Sequence, residues 1–237
     1  MSYSIILPAY REAKNLDIII DQIQNFMKGE NFEIIVVDDF SDDGTEQILK
    51  RKQKKYKNLF YHLRKLPNKS LAKSILKGVS LSKKNNIIVM DSDFNHKPRD
   101  LKRLISRFKN KKLDFVVGSR FEKVEFKKLK FRFILSYYFC IFLSILLGVK
   151  SSDSLSGFFV LKKKIIKKTF EKKIFYGYGD FFFRLIYLIE KKNYRYENVQ
   201  IMYGERIYGI SKSTFFGLLF KYTFQAIKLK VFGISNN

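Results

Sequence analysis

Glu33-Ile34-Ile35-Val36-Val37-Asp38-Asp39-Phe40-Ser41-Asp42-Asp43-Gly44-Thr45 is the stretch on which the fold turns. Its β-branched run is too short for a helix and too apolar for a loop, so it predicts a buried strand over Glu33–Val37. Two carboxylates stand at the strand exit, and Asp42-Asp43-Gly44-Thr45 predicts a turn into a capped helix over Thr45–Lys55. Similar short runs recur at Ser4–Leu7, Asn86–Met90 and Asp114–Val117, with a weaker one at Leu59–Leu63. Helical spacing fills the intervals near Leu16–Met27, Leu71–Leu81 and Pro98–Phe108. Alternating buried strands and helices predict an α/β fold, a parallel sheet with helices on both faces.

In such sheets the ligand crevice lies beyond the carboxyl ends of the strands. Pro8, Tyr10 and Glu12 follow the first strand, Asp38 and Asp39 the second. Asp91, Asp93 and Asn95 follow the fourth, and Ser119 and Arg120 the fifth. None of these loops is glycine-rich like a dinucleotide fingerprint or P-loop, so bound phosphates would need a metal ion and cationic side chains. Asp91-Ser92-Asp93 suits that need, because two carboxylates at a strand end can hold a hard divalent ion and leave sites for diphosphate oxygens. Alone, such a pair is more often a turn or capping cluster.

The chain has 237 residues, with 47 Lys plus Arg against 22 Asp plus Glu, a formal charge of +25. The excess is spread along the chain and suits an anionic membrane surface or a uniformly basic composition equally well. Nucleic acid is disfavoured, because acidic residues crowd the expected ligand edge and no aromatic-interleaved RNA motif is present. One cysteine and two histidines exclude a disulfide framework and a Cys- or His-rich metal site. Met1 to Arg11 does not read as a signal peptide, which suggests a cytosolic start.

Taken together, the motifs resemble those of family-2 glycosyltransferases. They are Leu7–Leu16 (Leu7-Pro8-Ala9-Tyr10-Arg11-Glu12 at its head), Val36–Thr45 and Met90–Pro98. Val117–Arg120, Asp153–Phe158 and Arg206–Lys212 narrow the resemblance to the dolichol-phosphate mannosyltransferase-like, polyprenyl-phosphate branch. The resemblance implies a GT-A (Rossmann-like) fold with a mostly parallel sheet over residues 1–212. It also implies a nucleotide-sugar donor, Mg²⁺ or Mn²⁺, and a polyprenyl-phosphate acceptor. Pro8, Tyr10, Glu12, Val37, Asp39, Asp91 and Ser92 would line the nucleotide site. Asp93 and Asn95, with Asp91 of the same turn, would hold the metal. Arg120, Arg206 and Lys212 would meet phosphates and act with Asp93 in catalysis. Three positions depart from the family pattern: Asn95 replaces Gln, Arg11 replaces Asn, and Lys69-Ser70-Leu71-Ala72 lacks the usual glycines.

The reaction so implied is inverting transfer of a glycosyl group, mannosyl from GDP-mannose being the expected case, to a polyprenyl monophosphate. The alternatives are a UDP-sugar enzyme acting on another lipid or glycan and a noncatalytic basic membrane-binding module. Asp153 and Asp180 are candidates for a base or for structural anchors. Such an acceptor places the protein peripherally on the cytoplasmic side of a membrane, where a small membrane subunit could join it. Two segments could make contact. Residues 133–149 carry no charge but are interrupted by Ser136, Tyr137, Tyr138 and Ser144, which suggests an interfacial or packed helix rather than a span. Residues 213–237 form the second segment. As a helix, Ser213–Phe232 gathers Thr214, Lys221, Gln225 and Lys228 on a narrow stripe beside a broad apolar face, suited to the headgroup region or to packing on the core. Cys140 reads as a packed small hydrophobe.

Overall fold

The computed structural model describes residues 1–65, 69–122, 131–166, 168–202, 204, 208 and 215–234. Its first half follows the expected alternation. The strands are β1 (Ser2–Ala9), β2 (Asn31–Asp38), β3 (Leu59–Leu63), β4 (Asn86–Val89) and β5 (Phe115–Ser119). Between them lie α1 (Ala13–Phe26), α2 (Thr45–Lys55), α3 (Leu71–Leu81) and α4 (Asp100–Asn110). The second half adds α5 (Phe131–Leu147), β6 (Phe159–Lys162), α6 (Lys168–Ile174), α7 (Phe181–Lys191), β7 (Tyr196–Gln200) and α8 (Phe215–Phe232).

The sheet order is β3-β2-β1-β4-β6-β5-β7. All pairings are parallel except those of β6, which runs antiparallel between β4 and β5. β6 and β7 are additions to the five expected strands. The consequence for function is geometric: β1, β2, β4 and β5 all release their polar loops at one edge.

Side chains alternate across the sheet and feed a core on each face. Ile6, Ile87, Val89, Phe115, Val117, Phe159 and Leu161 pack with α3, α5, α7 and α8. Ile5, Leu7, Ile34, Val36, Ile88, Val116 and Val160 pack with α1 and α4 on the other face. Every residue of α7 from Phe181 to Ile189 is buried, as expected of a helix that is apolar almost all round.

α5 and α8 pack against each other on the first face. α5 turns Ser136, Cys140, Leu143 and Leu147 inward, while Tyr138, Ile141, Phe142 and Ile145 stay exposed. The expected orientation of the C-terminal helix needs refinement. Its inward stripe is Tyr222, Ala226 and Leu229, all buried, and Phe220, Phe224, Ile227 and Val231 face outward. The helix therefore both packs on the core and exposes an apolar face. The expected boundary at 212/213 lies outside the described residues. Among the described residues, no helix is long and apolar enough to cross a membrane.

Candidate active site

The loops after β1 and β2 are tied together before any ligand is considered. Asp38, nearly fully buried, accepts from the Ser41 backbone N–H at 2.8 Å and the Ser41 hydroxyl at 2.5 Å, and burial raises its pKa. The Arg11 backbone N–H donates to Ser41 Oγ at 2.7 Å, and its guanidinium grips exposed Asp42 at 2.6 and 2.7 Å. Asp43 accepts from the Ala13 N–H at the start of α1 and from the Thr45 hydroxyl at the start of α2. The Asp42–Thr45 motif is thus a turn, as expected, and a clamp between two helix N-termini as well.

Asp39 is the hub of the β2 exit. Its N–H continues the sheet by donating to Ala9 O at 2.9 Å. Its carboxylate, 6% exposed, accepts from Arg64 Nε and Nη2, both at 2.7 Å. It also accepts from the Ser70 N–H at 2.7 Å and from the Ser74 hydroxyl. The cost of burying this carboxylate is offset by the hydrogen bonds it collects from Arg64, Ser70 and Ser74. Arg64 escaped the sequence reading because one basic residue among 47 carries no signal; its place at the exit of β3, beside β2, was the available clue. Val37 is fully buried in β2, so its side chain supports the edge from beneath.

Tyr10 receives Lys69 over its ring, 3.6 Å from the centroid, and at its hydroxyl. Glu12 accepts from Asn15 Nδ2 at 2.6 Å, and Asn15 also donates to the Tyr208 carbonyl at 3.3 Å. Gly204 N–H donates to Asn95 O at 2.9 Å. Gly204 and Tyr208, beyond β7, thus reach the same edge. Arg206 and Lys212, expected to meet phosphates, lie outside the described residues.

The Asp91–Asn95 turn sits beside β1, where the Ser92 hydroxyl donates to Pro8 O at 2.9 Å. Asp93, 6% exposed, accepts from the backbone N–H and side-chain Nδ2 of Asn95 at 3.1 and 2.9 Å. His96 holds this turn from below. Its Nδ1 accepts the Asp91 N–H at 3.1 Å, and its ring stacks on Phe158 with centroids 4.9 Å apart. Complete burial lowers its pKa to about 4, so the imidazole is neutral at pH 7. The charges of Asp93 and Asp153 favour the protonated ring and that of Arg120 opposes it, all outweighed by burial.

Arg120 is clamped by Asp153, with Nε and Nη2 donating at 2.7 and 2.8 Å and the backbone N–H at 3.0 Å. Asp153 is fully buried and also receives the Cys140 thiol at 3.7 Å. Asp180 is paired with Arg184 at 2.6 Å and is equally inaccessible. Both candidate bases are anchors. Cys140 is buried with its pKa raised by desolvation, as suits a packed hydrophobe.

A hard divalent ion fits the donor set at the β4 exit. Asp91 is partly exposed and Asp93 lies next to it, two carboxylates that take Mg²⁺ or Mn²⁺ through oxygen. Among the described residues no group of three or more His, Cys, Asp or Glu could hold a metal unaided, so the remaining ligands would be substrate oxygens and the Asn95 amide. For the amide to ligate, Asn95 must turn Oδ1 where Nδ2 now meets Asp93.

The chain is 31% identical over 171 residues to the dolichol-phosphate mannosyltransferase of Pyrococcus furiosus, covering 70% of this chain and 48% of that protein. It is 29% identical over 126 residues to the dolichol-phosphate mannosyltransferase of Mycosarcoma maydis, covering 51% and 42%. The chain thus spans about half the length of the curated relatives it matches. Glucosyl-3-phosphoglycerate synthase of Mycobacterium tuberculosis, solved with Mn²⁺ and UDP-glucose, superposes with a TM-score of 0.69 at 16% identity, covering 97% of this chain and 78% of that one. Residues 1–349 of S. aureus TarS give 0.59 at 18% identity, covering 84% and 58%. These likenesses show the GT-A fold. The sequence profile of "Glycosyl transferase family 2" matches residues 4–170, more than half of the chain, and the protein belongs to that family.

Proposed function

We propose that the protein transfers a glycosyl group from a nucleoside diphosphate sugar to a polyprenyl monophosphate at a membrane surface. What supports this reading is that Asp39, Asp93 and Arg120 follow β2, β4 and β5, strands whose carboxyl ends all lie at one edge of the sheet. Similarity to two dolichol-phosphate mannosyltransferases supports the acceptor class and a GDP-mannose donor.

The chemistry needs no strong base. A lipid monophosphate is already anionic near pH 7, its second pKa being about 6. Its oxygen forms the new bond to the anomeric carbon on the face opposite the leaving group. The old anomeric C–O bond breaks, and its electron pair departs with the nucleoside diphosphate. A divalent ion, when bound, supplies positive charge to the diphosphate oxygens. Asp93 and Asp91 would hold that ion, with Asn95 as a further oxygen donor. Arg120 is held in one orientation by Asp153, so its guanidinium needs no reorganisation as the transition state forms. Arg206 and Lys212 add cations from the segment after β7. Asp39, with Arg64, shapes the nucleotide side together with Pro8, Tyr10, Glu12, Val37 and Ser92.

The outward face of α5 and α8 is the membrane contact of this reading. It exposes Ile145 at 77% and Phe220 at 82%, with Lys221, Lys228 and Lys230 exposed on α8. Neither helix contains Asp or Glu, which matches an anionic bilayer. A UDP-sugar donor is the second reading, supported by the fold shared with a UDP-glucose enzyme.

The test is a thermal-shift panel of GDP- and UDP-sugars with Mg²⁺ or Mn²⁺, followed by transfer of labelled sugar into polyprenyl phosphate. Preferential ligand binding raises the melting temperature. Label in the lipid extract with GDP-mannose confirms the first reading, and label only with UDP-sugars selects the second. Vesicle binding without any nucleotide binding would leave only a membrane-binding module.

A further inference from the structure

The loop from Ile174 to Asp180 touches both the C-terminal helix and the nucleotide edge. It is stiffened from within by Arg184, which is 1% exposed. Arg184 donates to Ile174 O at 3.0 Å, to Tyr176 O, and to Asp180 Oδ2 at 2.6 Å. Asp180 Oδ1 in turn accepts the Tyr178 N–H at 2.7 Å.

At one end the Gly179 N–H donates to the buried Tyr222 hydroxyl of α8 at 3.0 Å. A Cβ on Gly179 would stand 2.7 Å from that oxygen, so the approach requires glycine. Tyr176 adds a contact to Gln225 of α8 at 3.4 Å. At the other end Gly177 O accepts the Ser70 hydroxyl at 2.9 Å. Gly177 has a φ of +74°, and a Cβ there would lie 2.5 Å from Asp180 Oδ1, which again requires glycine. Ser70 caps α3, and its N–H holds Asp39 Oδ2 at 2.7 Å. A continuous set of buried or half-buried hydrogen bonds therefore runs from α8 to Asp39.

We propose that this loop is a strut through which α8 sets the position of Asp39, so that seating the outer face of α8 on an anionic bilayer raises affinity for the nucleotide donor. Tyr222 and Ser70 are its positioning residues. This rests on the membrane and donor reading above and adds regulation to the same site. Linkage imposes a sharp condition: if vesicles raise nucleotide affinity by some factor, nucleotide must raise vesicle affinity by the same factor.

The experiment titrates the intact chain with GDP and with UDP in the presence of Mn²⁺. Each titration is run with and without vesicles of phosphatidylcholine and phosphatidylglycerol, and vesicle sedimentation is measured with and without nucleotide. Wild type should show a reciprocal increase of about fivefold or more. Tyr222→Phe removes only the hydroxyl and should abolish both increases while vesicle binding alone persists. Ser70→Ala, at the far end of the strut, should do the same and serves if Tyr222→Phe folds poorly. Equal nucleotide affinity with and without vesicles in wild type overturns the strut, as does an undiminished increase in both variants. Loss of the vesicle-free nucleotide binding, or of nucleotide-free vesicle binding, in wild type would instead overturn the functional reading and the strut with it.

Discussion

The carboxyl edge of β1–β5 and the outer flank of α5 and α8 use their side chains in opposite ways. At the edge, charged groups are spent on one another: Asp39 on Arg64, Asp153 on Arg120, Asp43 on two helix N-termini. On the flank, a narrow inward stripe anchors each helix and large apolar side chains are left facing outward. The edge is therefore a rigid polar frame, and the flank is an exposed apolar surface. Paired charges mark the first region and unpaired apolar surface the second.

Removing charge from the frame should have the largest effect. Asp93→Ala is expected to lower glycosyl transfer by about a thousandfold while leaving the melting temperature near wild type. Near-normal turnover would deny Asp93 its metal role. Asp153→Ala tests the frame's rigidity, since it strands a buried guanidinium and should cost about 3–5 kcal/mol. A drop in melting temperature of about 10 °C is expected, and a shift of a degree or two would show that Arg120 is not held by this pair.

The third prediction uses pH. The folded-state pKa of His96, about 4, lies below the unfolded value of 6.5. Above pH 6.5 both states are neutral and the residue adds no pH dependence. As pH falls, the unfolded chain takes up the proton first, so about 3 kcal/mol of stability is lost by about pH 4. Denaturant midpoints measured across that window should flatten in His96→Asn relative to wild type. An unchanged slope would mean that the imidazole is protonated in the folded state.

The smallest effect on stability is expected on the flank. Phe220→Ser with Phe224→Ser should leave unfolding within about 0.5 kcal/mol of wild type. Each loses about 1.5–3 kcal/mol of apolar burial when the flank is covered, so vesicle affinity should fall by tenfold or more. A large fall in stability with intact vesicle binding would reverse the contrast between the two regions.

Much of this was legible in the chain because the signals are local. β-branched runs bounded by turn residues located β1, β2, β4 and β5, and helical spacing located α1 to α4. β6 escaped because Phe159–Lys162 is only four residues long, too short to stand out as a strand even behind the Ser156-Gly157 turn. β7, Tyr-Glu-Asn-Val-Gln over 196–200, is half-exposed at the sheet edge and too polar to stand out. The partners of the site residues were harder still. Arg64, Ser70 and Ser74 lie 25 to 35 positions from Asp39, and Asp153 lies 33 from Arg120.

From the sequence alone follow the alternating architecture, the carboxylates at the strand exits and the apolar character of two late segments, because each depends on neighbours within one strand or one helical turn. Which carboxylate grips which cation, which stripe of α8 turns inward, and how the loop after α6 joins α8 to α3 were decided only in three dimensions. Such contacts depend on where the sheet brings distant segments together, and pairing across that distance leaves no periodic trace along the chain.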